Sequence, residues 1–340
     1  MRVAVDARSL RAPGAGRGIA VYLERLLTEL GRERPKDSFE RVTGGRARSL
    51  TAALAGRPRL DRAARGCELA WAPAPAPLAL SDGVPLVLTL HDLSFEHRPA
   101  DLSAYERLWH RLARPRRLAE RAARVITVSD AVREQAIAEW RLDPERVVTI
   151  LSGPGRPPGP AGALPDGLAP GFVLAVGALE PRKRPALLVE AHARAQGRGL
   201  RAQLVFAGAG RAPSPAAGPV FLGRVDDATL DALYAGALAV VCPSREEGFG
   251  FTPLEAALRG TPAVVTDLAP FRETLGDAAL PVRPDDPDAL ADALLRLERD
   301  AELRVQLAAA AREAAGRLSW ERAAAETHFV LSAAAAEDRQ

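Results

Sequence analysis

Short apolar runs rich in β-branched residues alternate with longer amphipathic stretches along most of the chain, and this alternation limits what it can fold into. A strand that must be covered on both faces reads as a continuous apolar run, and the stretches between supply the covering helices. Strands are expected at Val3–Val5, Leu86–Leu90, Val125–Val128, Val147–Leu151, Phe172–Val176, Gln203–Ala207, Val220–Leu222, Ala239–Cys242, Ala263–Thr266 and Ala279–Val282. Helical periodicity falls at 18–30, 103–123, 130–140, 185–195, 227–236, 253–259, 287–298 and 300–317. The fold class is therefore α/β, with parallel sheets wrapped by helices.

A chain of 340 residues is long for one core, and the segment from Ser152 to Gly171 is dense in Pro and Gly without hydrophobic periodicity. It reads as a linker, so the expected division is a Rossmann-like domain over 1–155, a linker over 156–170, and a second such domain over 171–318. Residues 319–340 form a last helix beginning at Ser319 and Trp320. The Pro/Ala stretch Ala72–Leu80 reads as a loop within the first domain. Two open α/β domains facing each other bind ligands in the cleft at the carboxyl ends of their strands.

Charge excludes one large class of function. Lys and Arg total 46 against 43 Asp and Glu, a net +3 that suits phosphate handling but not a nucleic-acid binder. The two cysteines, Cys67 and Cys242, belong to no C-x-x-C pair, so neither a disulfide framework nor a zinc site is expected. The opening MRVAVDARSL carries Asp6 and Arg8 and lacks the apolar core of a signal peptide. No apolar run approaches the ~20 residues that span a bilayer. The expected location is the cytoplasm, or its membrane surface.

The most informative string is PSREEGFGFTPLEAALRGTPAVVTD, which follows the strand Ala239–Cys242. Glu247 and Glu255 are separated by seven residues, with Gly248, Phe249 and Gly250 between them and Pro253 opening the next helix. Glycines before a helix start let a ligand approach the backbone, where exposed N–H groups and the positive dipole end favour a diphosphate. Glu255, read in the first helical turn, can accept from ribose hydroxyls, and Glu247 on the loop can face a sugar. The plain alternative is that both acids merely favour a helix N-terminus.

This string resembles the E-x7-E signature of the retaining GT-B glycosyltransferases of family 4, in its EGFG…P-x-E-A setting. The resemblance extends through AVGALEPRKRPALLVEAH, VFAGAG, FLGRVDDATLDALYAGALAVVCPS and PFRETLGDAALPVRPDDPDALADAL, and more loosely through DARSL…GRGIAVY, LTLHDLSFEHRP and VITVSDAV. It implies the GT-B fold, two Rossmann-like domains facing across a cleft, with the acceptor on the first, the nucleotide-sugar donor on the second, and the last helix crossing back to the first. It implies a metal-independent hexose transfer with retention, with the nucleotide sugar a substrate and no cofactor. The LEPRK form resembles mannosyltransferases that use GDP-mannose; UDP- and dTDP-sugars stay open, as does a non-catalytic nucleotide-sugar-binding subunit. The acceptor is a glycan, a lipid-linked sugar or a small molecule.

Within that resemblance Arg182 and Lys183 hold the diphosphate, whose charge grows as the glycosidic bond breaks. Many relatives carry Arg where this chain has Ala178, and Arg182 compensates. His91, at the end of Leu86–Leu90, reaches the donor sugar. Gly208 allows close backbone approach, Arg224 and Val225 cup the base, and Gly16 and Gly18 of the G-x-G-x-G turn lie near the donor phosphates. As a dinucleotide fingerprint that turn is imperfect, because Ile19 replaces the third glycine. His97, His110, His192 and His328 have no comparable setting. Asp286, Pro287 and Asp288 read as a helix cap and first turn, not as a D-x-D metal motif. Arg107 to Arg124, with seven arginines and Trp109 around Pro115, reads as a solvated face, or alternatively as a contact for anionic headgroups.

Overall fold

The computed structural model describes residues 1–10, 17–44, 51, 55, 59–64, 66–210 and 218–337. They form two compact units, Met1–Gly153 with Ser319–Gln340, and Pro154–Leu318.

The first unit is built on a parallel sheet of β1 (Arg2–Asp6), β2 (Ser38–Val42), β3 (Leu69–Ala72), β4 (Leu86–Leu90), β5 (Arg124–Thr127) and β6 (Val147–Thr149). Their order across the sheet is β2-β1-β3-β4-β5-β6, all parallel. Every residue of β3 and β4 is buried, as a sheet covered on both faces requires. Two strands were not anticipated. β2 is an edge strand whose Glu40 and Arg41 face solvent, and β3, LAWA, has no β-branched residue. β3 is held by its neighbours: Trp71 is fully buried and its indole N–H donates to the Thr89 hydroxyl on β4 at 3.1 Å.

Helices close the sheet where the sequence caps them. Ser129 accepts from Val132 N–H to open Asp130–Trp140. Ser103 and Glu106 form a reciprocal capping box that opens Ala104–Ala113. That helix ends at Arg114, in left-handed conformation (φ 48°), and Pro115 starts Pro115–Arg121 as a separate helix, so the stretch expected over 103–123 is broken in two. The helix Trp320–Glu337 belongs to this unit and packs on Arg17–Glu33.

The second unit holds β7 (Phe172–Val176), β8 (Leu204–Ala207), β9 (Val220–Phe221), β10 (Ala237–Cys242), β11 (Ala263–Thr266) and β12 (Leu280–Val282). The order β12-β11-β10-β7-β8-β9 places β7 beside β10. The chain runs outward from β7 to β9, returns, and runs outward the other way from β10. A ligand crevice opens at such a reversal of strand order, outside the carboxyl ends of the strands. Asp286 accepts from Ala289 N–H at 2.9 Å with Pro287 as the first residue of the helix Pro287–Arg299, the capping geometry expected there. The Pro/Gly segment read as a linker over 156–170 falls within Pro154–Leu318, and hydrogen bonds fasten its first residues to Glu255 and Asp231.

Candidate functional site

At the β7–β10 reversal, two loops meet. Residues 177–184 leave β7 and end in the short 3-10 turn Pro181–Lys183; residues 243–250 leave β10. They interlock through one backbone and one side-chain bond: Arg245 N–H donates to the Arg182 carbonyl at 3.0 Å, and Arg182 Nη1 donates to the Glu246 carbonyl at 2.7 Å. One carboxylate oxygen, Glu247 Oε1, accepts from the Ser244 hydroxyl at 2.7 Å and lies 3.6 Å from Arg182 and 3.8 Å from Lys183. The three charged side chains are 16–26% exposed, sheltered enough for their mutual attraction to exceed its value in bulk water yet open to a ligand. Beneath them lies a narrow cavity of about 30 Å³ bounded by Gly177, Lys183, Cys242 and Ser244. Burial pushes the Cys242 thiol up to about 12, so it stays protonated and is no nucleophile.

Two further glycines make the crevice possible. A side chain at Gly208 would put its Cβ 1.7 Å from the Gly177 carbonyl oxygen, so only glycine lets the ends of β7 and β8 come this close. Gly250 has φ +96° and starts the helix Phe251–Leu258; a Cβ there would meet the Phe271 ring at 2.7 Å. Gly248 and Phe249 are buried beside it. Arg224 and Val225 follow Gly223, whose carbonyl accepts from Gly208 N–H at 2.7 Å; Arg224 is exposed and Val225 half-buried.

Glu255 sits elsewhere than expected. The helix begins at Phe251, so Pro253 is its third residue and Glu255 its fifth, beyond the first turn. The Glu255 carboxylate is 7% exposed, and both oxygens are engaged: Oε1 accepts from Arg156 N–H and Oε2 from the Tyr234 hydroxyl, each at 3.0 Å. Burial, reinforced by Glu255, raises the Tyr234 hydroxyl well above its ordinary range, so it stays a donor. Beside it lies a network the sequence did not announce. Asp231, 3% exposed, accepts from Arg156 at 2.6 Å, Gly159 N–H at 2.8 Å and Arg259 Nε at 2.6 Å. Burial alone would raise the Asp231 carboxyl, but these donors hold it below the ordinary 3.8. Residues 156, 231 and 259 are too far apart in sequence, and too ordinary in type, for spacing to reveal this cluster.

His91 lies in the first unit, one residue past β4. Its Nε2 is 2.9 Å from the Pro73 carbonyl, which can only accept, so Nε2 carries the proton and Nδ1 keeps its lone pair. Burial lowers its pKa below 6.5, and the ring packs edge-on against Tyr22 at 4.8 Å. Gly18 is the second residue of the helix Arg17–Glu33; Gly16 lies outside the described residues. The structure thus brings Arg182, Lys183 and Glu247 together, with Gly208 and Gly250 shaping neighbouring backbone, and seats Glu255 apart under residues 155–156.

Comparison with known proteins agrees with both halves. A model of the glycosyl transferases group 1 matches residues 168–314, and one of Glycosyltransferase Family 4 matches residues 16–153. O-antigen chain mannosyltransferase B of Escherichia coli is 30% identical over 71% of this chain and 68% of its own length. Phosphatidyl-myo-inositol mannosyltransferase of Mycolicibacterium smegmatis is 35% identical over 42% of this chain and 39% of its own. Among solved structures, Anabaena HepE in complex with UDP and glucose covers 98% of this chain and 100% of its own at a TM-score of 0.69, and sucrose-phosphate synthase from Thermosynechococcus elongatus covers 98% of each at 0.71. At 19% and 18% identity, these two likenesses speak to fold.

Proposed function

The chain belongs to the family 4 glycosyltransferases of GT-B fold, and from that premise we propose that it transfers mannose from GDP-mannose, with retention and without a metal, to a glycan or lipid-linked acceptor. The observation that carries the reading is the convergence of Arg182, Lys183 and Glu247 at the strand-order reversal of the second unit. Two cations fixed before the reaction begins favour the transition state, in which the departing diphosphate gains charge, more than they favour the bound donor. This is charge that a metal would otherwise supply. The helix start at Gly250 adds N–H groups aimed at the same diphosphate.

Glu247, anchored by Ser244, orients sugar hydroxyls close to the developing positive charge. The ribose role of Glu255 rests on the family resemblance; both its oxygens already accept from Arg156 N–H and the Tyr234 hydroxyl. With no carboxylate assigned as covalent nucleophile, the departing phosphate itself takes the acceptor's proton on the same face. The role of His91 toward the donor sugar rests on the family resemblance; its unprotonated Nδ1 is chemically fit to accept from a hydroxyl.

The mannosyl donor is supported by the names of the two curated relatives above, both mannosyltransferases. No helix among the described residues is long and apolar enough to cross a membrane. The arginines between 107 and 124 suit peripheral contact with the inner face of a membrane where the acceptor is lipid-linked. Incubating the pure protein with a panel of GDP-, UDP- and dTDP-sugars and following slow donor hydrolysis by mass spectrometry tests the reading. Consumption of GDP-mannose above the others is expected. Binding without turnover of any donor, in the presence of acceptor lipids and glycans, would instead favour a non-catalytic binding subunit.

A further inference from the structure

Among the described residues, four that are not glycine hold left-handed backbone: Arg114, Arg141, Arg184 and Asp285. Arg114 and Arg141 close the helices Ala104–Ala113 and Asp130–Trp140, a place where that conformation is common. Arg184 (φ 54°) joins the turn Pro181–Lys183 to the helix Pro185–Gln196, and Asp285 (φ 55°) lies between β12 and the helix Pro287–Arg299. These two are each other's partners. Arg184 Nη2 lies 2.6 Å from Asp285 Oδ1, and Nε donates to the same oxygen at 2.7 Å. Glycine would adopt either conformation freely, so a side chain at each position is backbone strain, of the kind found where the side chain serves a site.

Asp285 holds more than Arg184. Arg245 Nε donates to both of its carboxylate oxygens at 3.0 Å. Arg184 follows Lys183 directly, and Arg245 stands two residues before Glu247 with its N–H on the Arg182 carbonyl. One carboxylate from the turn after β12, at the edge of the sheet, therefore ties the loop leaving β7 to the loop leaving β10. The two loops carry four cations, Arg182, Lys183, Arg184 and Arg245, against three acids, Glu180, Glu246 and Glu247, and Asp285 brings the balancing charge from outside them. What burial Asp285 has would raise its carboxyl, but hydrogen bonds from Arg245 and Arg184 hold it below the ordinary 3.8, so it stays ionised. An ion pair as open as this one, with the Asp285 side chain 43% exposed, contributes little to stability. Stability alone does not account for the strain.

We propose that Asp285 is a positioning residue of the transfer reaction: by holding Arg184 and Arg245 it fixes the two loops so that Lys183 and Glu247 meet the donor without rearranging. This role rests on the donor-site reading above and adds to it a residue from a third loop. Charge fixed before the reaction begins stabilises the transition state more than the bound donor. Loss of the tie should therefore lower kcat more than it raises KM.

The full-length protein and its Asp285→Gly, Arg184→Gly and Asp285→Asn variants are compared in urea denaturation and in slow hydrolysis of GDP-mannose, or of whichever sugar nucleotide in the panel above wild type consumes. Glycine relieves the backbone at either position, so the urea midpoints of both glycine variants should match wild type or exceed it. Asparagine keeps the size of Asp285 and its tolerance of left-handed backbone while removing the charge. All three variants should lose about tenfold in kcat, with KM within about threefold of wild type. Because Asp285 acts through Lys183 and Glu247, Asp285→Gly added to Lys183→Ala should lower kcat by less than about threefold more, whereas an independent structural defect would multiply in full. Activity equal to wild type, a fall in kcat that follows a fall in the urea midpoint, or a change confined to KM overturns the positioning role. A full tenfold loss on top of Lys183→Ala overturns it too. In each of these cases wild type still turns over its donor, and the donor-site reading stands. A wild type that consumes no donor removes the reaction and the positioning role with it.

Discussion

At the scale of single residues, the proposed donor site is a matter of charge placed beforehand. Lys183 lies 3.8 Å from Glu247 and borders the cavity beneath the loops. Replacing it with Ala should cost about 3 kcal/mol of transition-state stabilisation, a fall of about a hundredfold in kcat/KM. Steady-state kinetics that leave turnover unchanged would reject its assignment. Gly208→Ala makes a different demand, because its methyl would overlap the Gly177 carbonyl. The strands must then part, and a loss of about 1–3 kcal/mol in urea denaturation, with weakened nucleotide binding, is expected. Lys183 and Glu247 were legible in the sequence because a basic pair after one strand and an acid after another are local patterns. Glu255 was legible as a residue but not as a contact. Its bonds to Arg156 and Tyr234 depend on how a proline-rich segment lies over the helix, which no local pattern encodes.

At the scale of elements, most strands and helices could be read directly, with β4, β7 and β11 and the helices Asp130–Trp140 and Asp227–Gly236 matching residue for residue. The two strands that escaped did so for opposite reasons. β2 exposes charge because it is an edge, and β3 is made of Ala, Leu and Trp, whose place in a sheet comes from the strands on either side. The segment after Gly153 escaped because Pro and Gly suggest freedom, whereas Asp231, Arg156 and Arg259 tie it down. Asp231 is 3% exposed and the Arg259 side chain 4%. Asp231→Ala takes the shared carboxylate from two guanidiniums, leaving Asp227 to Arg156 and three carbonyls to Arg259, and should destabilise the second unit by about 1–3 kcal/mol, read as a lower urea midpoint with the slope unchanged. A midpoint within experimental error of wild type would show that the network contributes nothing to that unit's stability.

At the scale of the whole molecule, acid should act in two stages. Burial holds His91, His110 and His192 below the ordinary 6.5, so the unfolded chain takes up protons at these positions before the folded chain does. Their contribution is fully present above 6.5 and declines as pH falls below it. Asp37, Asp231 and Asp285 sit on the other side of the ledger. Burial would raise them, but their hydrogen-bond partners hold them below 3.8, and that stability is lost only as pH falls through their folded values. Urea midpoints that stay flat between about pH 7.5 and 5 would contradict the histidine stage. The pairing of the helices Arg17–Glu33 and Trp320–Glu337 has a consequence for how the protein is made. On the ribosome, the contiguous stretch 154–318 can collapse as soon as it emerges, while the earlier-synthesised half waits, one flank uncovered, for the nascent chain to be translated past residue 337.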